Sequence, residues 1–373
     1  MIVRNGKLFM DGKFQEGPDV RVFNGRIHEI GYHLQAGLYE QITDVDGDMI
    51  MPGFVDVHIH AFRRNDTMQG EAAVRAMSRD LYREGVSAFC PTTMSASLVD
   101  TRNAVNGIRR VMLQPEVNGC QVLGAHMEAP FLQEEKAGAQ RKEFFMDPSI
   151  DAFMEMTDHQ PESVKLITVA PERPGAESFI RAVTALGVHV SAGHTKATAE
   201  QVHLAGDWGV DHITHTFNAQ TPLLHRAPGV PGAGLSDDRF YCEMICDGIH
   251  LHRDIVRLIA KCKGPQHAVA ITDAMEAAGM PDGEYALGGQ AVFVHGSEAR
   301  LKDGTLAGSV LTMHKAFENL IHFFGLKPED AAVMCTSAPA DSIGEKLAGR
   351  LIAGAPAPLT RWTKDFHMAG IID

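Results

Sequence analysis

Asp56-Val57-His58-Ile59-His60 closes a short apolar run that opens at Phe54, and the same polar punctuation returns at the ends of apolar runs along the chain. The run 122–127 leads into Glu128, 188–193 into His194, 212–214 into His215, and 268–272 into Asp273. Short buried runs alternating with helical stretches predict βαβ units and a parallel sheet. Working outward from the first run gives eight of them, around 54–58, 86–92, 122–128, 165–170, 188–194, 212–215, 241–247 and 268–273. Eight parallel strands close a TIM-like (β/α)8 barrel, in which the C-terminal strand ends converge on one mouth and build the active site. Histidines and carboxylates far apart in sequence would therefore meet in space.

The flanking segments read differently. Residues 1–50 are short alternating runs broken by Asp11-Gly12, Asn24-Gly25 and Asp46-Gly47, and Asn-Gly between two such runs is a strong hairpin signal. This is a small β unit. Helices are predicted over 70–84 and 176–186, each stopped by a glycine, Gly85 and Gly187. An insertion at 283–304 has the period of β-hairpins, helices resume over 310–324 and 328–335, and the proline-bearing stretch 350–373 is expected to rejoin the N-terminal β unit.

A chain of 373 residues with 45% hydrophobic content is ample for one barrel and a small accessory unit. Its formal charge of -13 argues against general binding to nucleic acid or an anionic membrane, which needs a basic field. The six cysteines form no C-x-x-C pair and several lie inside apolar runs, as expected of reduced, buried thiols in a cytoplasmic enzyme. No export signal opens the sequence and no apolar run is long enough to span a membrane.

His58 and His60 are two apart on a strand, so both side chains leave the same face and can reach one cation. H-x-H alone is weak. Glu128 is more telling, because a carboxylate at the end of a buried strand needs a metal or a cationic partner. Two neutral imidazoles, His194 and His215, together with Glu128 form a ligand set of hydrolytic zinc with a position left for water. Asp273 is placed to act as general base beside such a centre, although aspartate there could also cap the helix that follows. His126 is as well explained by packing. His28, His33, His159 and His367 read as solvated.

In this order the motifs resemble a family. Pro52-Gly53-Phe54-Val55-Asp56-Val57-His58-Ile59-His60, Pro91-Thr92-Thr93-Met94, His126-Met127-Glu128-Ala129-Pro130-Phe131, Ser191-Ala192-Gly193-His194-Thr195, Thr214-His215-Thr216-Phe217-Asn218-Ala219, Asp247-Gly248-Ile249-His250, Ile271-Thr272-Asp273-Ala274-Met275 and Leu306-Ala307-Gly308-Ser309 are similar to the N-acetylglucosamine-6-phosphate deacetylases of the amidohydrolase superfamily. The resemblance spans residues 49–344. It implies a metal-dependent hydrolase barrel over 51–348, with a small β-sandwich domain built from 1–50 and 349–373. It further implies that Glu128, His194 and His215 hold the principal metal, that His58 and His60 hold a second one bridged by Glu128, and that Asp273 is the acid/base. One or two divalent ions are expected, zinc first, with iron, manganese or cobalt as alternatives. Asn218, the Ala219 backbone, Arg226 and His250 match positions that hold the sugar phosphate, Arg226 across a homodimer. Gln140 matches a mobile-loop sugar contact, and Leu306, Ala307 and Gly308 match a segment lining the acetyl pocket.

Several positions depart from the family pattern. Ala129 replaces a glycine, Ala61-Phe62-Arg63-Arg64 replaces a glycine-rich stretch, His314 replaces an aspartate, and Ala357-Pro358-Leu359-Thr360 replaces an Ala-Asp-Leu run. The expected substrate is a small amino-sugar phosphate. Its galactosamine epimer is one alternative, and a cyclic amide or nucleobase is another, opposed by the phosphate set and by the lack of an obvious bridging lysine. A catalytically dead binding protein is opposed by the intact Glu128, His194, His215 and Asp273.

Overall fold

The structure is a computed structural model and describes all residues from Met1 to Asp373. Eight strands become the staves of a parallel barrel: β1 (Phe54–Ile59), β2 (Val86–Thr93), β3 (Ala125–Met127), β4 (Val164–Val169), β5 (His189–Ala192), β6 (Val210–Ile213), β7 (Tyr241–Ile245) and β8 (Ala268–Ile271). Each pairs with the next in sequence order. Their residues are almost all buried, as a sheet covered on both faces requires. The covering helices are α1 (Glu71–Tyr82), α2 (Leu98–Leu113), α3 (Ile150–Met156), α4 (Ala176–Ala185), α5 (Ala199–Trp208), α6 (Gly229–Ser236), α7 (Arg253–His267) and α8 (Met313–His322). None is long and apolar enough to cross a membrane.

No regular ladder joins β8 to β1. The seam is closed by side chain and loop instead. The fully buried Asp56 carboxylate accepts the Thr272 hydroxyl at 2.5 Å and the Thr272 N–H at 3.4 Å, and Asp273 N–H donates to the His58 carbonyl at 2.8 Å. Past the strand ends, the N–H groups of His60 and Ala61 both donate to the Ala274 carbonyl at 3.0 Å. The end of β1 that carries His58 and His60 is thus sewn by backbone bonds to the turn that carries Asp273.

Several strands are shorter than the apolar runs suggest. The third run divides into Gln121–Val122 and β3, because Gly124 between them takes φ 143° and a side chain there would meet Lys165. The runs toward His194, His215 and Asp273 stop before those residues, which lie in left-handed turns. The insertion forms a three-stranded antiparallel sheet, Gly283–Leu287, Gln290–His295 and Glu298–Leu301.

The first and last segments build two further sheets. One orders Arg26–Gly31, Asp19–Phe23, Ile2–Arg4 and Ile42–Asp44; the other orders Met368–Ile372, Leu359–Trp362, Met49–Pro52, Lys7–Met10 and Lys13–Glu16. Val3, Leu8, Val20, Ile50 and Leu359 share the apolar core of this sandwich. The strand Met49–Pro52 runs across the expected 50/51 boundary. Asn24 and Gly25, both at positive φ, turn the hairpin that pairs Phe23 with Arg26. Trp362 reaches from the last sheet into the barrel's core, 4.5 Å from the ring of Phe317.

At the base of the barrel Asp211 bridges His189 and His212, accepting from each Nδ1 at 2.6 Å. Burial alone would raise the Asp211 carboxyl, but the His212 charge and the His189 hydrogen bond outweigh it and hold it at about 2. A depressed carboxylate stabilises the folded state above its unfolded pKa and loses that effect as pH falls. Asp211→Asn is therefore expected to lower the thermal midpoint near neutral pH, with the gap to the parent closing as pH falls from about 4 toward 2. A constant gap across that range would show that the carboxylate's charge is not what matters there.

Candidate metal and active centre

At the opposite, C-terminal end, six side chains converge. Glu128 Oε1 lies 3.0 Å from His194 Nε2 and 3.1 Å from His215 Nε2, which are 3.0 Å from each other. His60 Nε2 lies 3.3 Å from Glu128 Oε2 and 3.2 Å from Asp273 Oδ1. His58 Nε2 stands 3.5 Å from Glu128 Oε1 and 3.6 Å from Asp273 Oδ1. All six residues are buried.

Three of these imidazoles have their tautomer set from behind. His194 Nδ1 faces the Lys136 carbonyl at 2.8 Å, His60 Nδ1 the Thr92 carbonyl at 3.3 Å, and His58 Nδ1 the Glu243 carboxylate at 3.0 Å. Each partner is an acceptor, so each Nδ1 carries the hydrogen and each Nε2 of the neutral ring presents a lone pair. Those lone pairs point at the oxygens of Glu128 and Asp273 and at one another. Such an arrangement repels itself unless protons or a metal cation lie within it. Donors held about 2.0–2.2 Å from one tetrahedral zinc stand roughly 3.3 Å apart, close to the spacings here. The Glu128, His194 and His215 donors form one such group and the His58, His60 and Asp273 donors a second, so the residues present fit one or two divalent ions.

The electrostatics agree. Burial alone would depress His60, yet Asp273 and Glu128 raise it to about 9. Burial would raise Glu128, yet His194 and His215 hold it well below the usual carboxylate range. Asp273 is likewise opposed by burial and lowered by His58 and His60, so it stays ionised and able to accept a proton. His126 differs: burial pushes it well below its usual value, and it packs against His58 with Nε2 2.8 Å from the Thr168 hydroxyl.

The backbone at these positions is strained. His194, His215 and Asp273 take φ of 45°, 28° and 50°, a region that costs a non-glycine residue of order 1–3 kcal/mol and clusters at functional sites. The left-handed turn ends each strand one or two residues early and swings the side chain over the mouth.

Above the centre is a cavity of about 320 Å³, lined by His60, Glu128, His194, His215 and Asp273 and, farther out, by Asn218, Ala219, His250, Leu306 and Gly308. His250 is oriented by Asp247, 2.6 Å from its Nδ1. Three of the expected substrate contacts sit differently. Arg226 is exposed and lies outside this cavity, and Ala307 is buried behind its neighbours. Gln140 lines the cavity, but its amide is already engaged: Nε2 donates to Glu128 Oε2, and Oε1 accepts the Ser95 N–H at 2.7 Å.

Glu243 was missed by sequence reasoning, although an acidic residue inside Tyr241-Cys242-Glu243-Met244-Ile245 was its signal. Two departures from the family pattern prove to be one cluster. Arg63 Nη2 donates to Glu84 Oε1 at 2.7 Å, and His314 Nδ1 stands 3.3 Å from Glu84 Oε2.

Residues 49–371 match the model of the amidohydrolase family, and the chain belongs to that family. It is 34% identical over 358 residues to the N-acetylglucosamine-6-phosphate deacetylase of Lysinibacillus sphaericus, covering 96% of this chain and 92% of that one. It is also 34% identical over 372 residues to an N-acetylgalactosamine-6-phosphate deacetylase of Escherichia coli, covering 99% and 97%. The solved N-acetylglucosamine-6-phosphate deacetylase of Pasteurella multocida superposes with a TM-score of 0.91 at 28% identity, over 99% of this chain and 97% of that one.

His194→Ala removes a donor from the tighter group of three. Dialysed against a divalent metal, the variant is expected to hold at least one equivalent less than the parent; undiminished metal content with full activity would refute the ligand assignment.

Proposed function

We propose that this chain is a metal-dependent deacetylase that hydrolyses the acetamido bond of N-acetylglucosamine-6-phosphate, giving glucosamine-6-phosphate and acetate. The observation that carries this reading is an ionised Asp273 set against the Glu128, His194 and His215 donors, in one cavity with Asn218, Ala219 and His250. A divalent ion bound there, zinc by the affinity of imidazole for it, supplies Lewis-acid polarisation of the amide carbonyl and acidifies water. Asp273 takes a proton from the attacking water as the new carbon–oxygen bond forms. It then returns that proton to the amide nitrogen as the carbon–nitrogen bond breaks. The strand-end turns fix the carboxylate in place, so little reorganisation accompanies the transfer.

The phosphate would sit at the outer end of the cavity. Burial opposes charge on His250, but Asp247 raises its basicity and favours the imidazolium. Arg226, exposed in this subunit, would reach the phosphate from the second copy of a homodimer. The galactosamine epimer is the second reading, because a relative named for that substrate matches 99% of this chain. Comparing kcat/KM for the two epimeric sugar phosphates tests it.

Asp273→Asn keeps the shape of the carboxylate and loses the base. Turnover is expected to fall by roughly a hundredfold or more, with metal content retained; near-normal turnover would remove Asp273 from the mechanism.

Losing the phosphate should cost at least about tenfold in kcat/KM, since a charge-assisted contact contributes roughly 1.5–3 kcal/mol. Arg226→Ala is expected to erase most of that preference and spare the metal. Equal efficiency on the unphosphorylated acetamido sugar would reopen the substrate class.

A further inference from the structure

We infer that Glu243 is a positioning residue that sets the affinity of the cation position formed by His58, His60 and Asp273, and so decides whether the centre holds one divalent ion or two. The inference rests on the reading of this centre as a metal site. Glu243 lies midway along β7 and is fully buried. A single oxygen, Oε2, receives both the Nδ1–H of His58 at 3.0 Å and the backbone N–H of His215 at 2.9 Å. Its other oxygen, Oε1, has no partner, and neither does His58 Nε2 at the far side of the ring.

Those two bonds tie Glu243 to both halves of the centre. Through His58 it fixes the tautomer that turns the Nε2 lone pair toward Glu128 and Asp273, and a carboxylate behind an imidazole strengthens its far nitrogen as a donor. Through the His215 N–H it supports the left-handed turn at the other half, where the carboxylate is an acceptor and its charge matters less.

Metal-free protein titrated with Zn²⁺ or Co²⁺, without substrate, tests this by equilibrium dialysis and by the absorption of bound Co²⁺. The parent is expected to bind two equivalents. Glu243→Gln keeps an oxygen for both N–H donors and removes the charge; its first equivalent should bind as in the parent and its second about ten- to a hundredfold more weakly. Glu243→Ser, which leaves room for water, is expected to give the same pattern and serves if the glutamine variant does not fold. His58→Asn should weaken the second equivalent too, and adding Glu243→Gln to it should cost nothing more. A parent that binds one equivalent, a second equivalent unchanged in both Glu243 variants, equal weakening of both equivalents, or additive loss in the double variant would each overturn the inference. Because no substrate is present, these outcomes stand apart from success or failure of the deacetylase reading.

Discussion

Two carboxylates and four imidazoles brought together out of water form the constraint on which this molecule turns. Glu128 and Asp273 are ionised, His58, His60 and His194 are pinned from behind, and their lone pairs are aimed inward. No apolar packing can satisfy such a group. The barrel answers by holding the donors at the ends of five rigid strands, His58 and His60 sharing β1, and by stitching the β8–β1 seam with Asp56 and Asp273 in place of a ladder. The strain at His194, His215 and Asp273 is then intelligible, because the field at the mouth and the surrounding strands together over-determine an otherwise unfavourable backbone.

The donors were legible in the sequence because each polar residue interrupts an apolar run, and burial without a partner is costly. Their mutual geometry was not, since it depends on left-handed turns at His194, His215 and Asp273, which the weak preference of His and Asp for positive φ does not place. Strand ends were over-extended for the same reason: the run reaching His215 reads as continuous, yet β6 stops at Ile213. Gly124 hid a break in the third run. Glu243 was passed over because a single acidic residue in an apolar strand carries no spacing to identify a role, and its purpose is visible only once β1 and β6 lie beside it.

The outer wall of the cavity has a different origin. Asn218 and Ala219 follow β6 directly, whereas Leu306 and Gly308 are delivered by the chain leaving the inserted three-stranded sheet. The candidate metal donors stand at the strand ends and the outer cavity wall is built on the connections between them, the division that lets one barrel serve many substrates. The Arg63, Glu84 and His314 cluster illustrates how such surroundings tolerate change: one carboxylate accepts from Arg63 and stands beside His314, and the backbone at Arg64 is held by the Glu276 carbonyl at 2.8 Å.

The small sandwich joins the two ends of the chain. Met49–Pro52 has Lys7–Met10 on one side and Leu359–Trp362 on the other, so a strand made before the barrel waits for one made after it. During synthesis the early strand presents an open edge with buried-type residues, Met49, Ile50 and Met51, while the whole barrel is still emerging. Pairings so distant in sequence form slowly, and Trp362 then anchors the late strand against Phe54 and Phe317 of the finished barrel. The strand Leu359–Trp362 thus acts as a latch, and a chain truncated before Leu359 would leave both an exposed strand edge and an unfilled pocket beneath it.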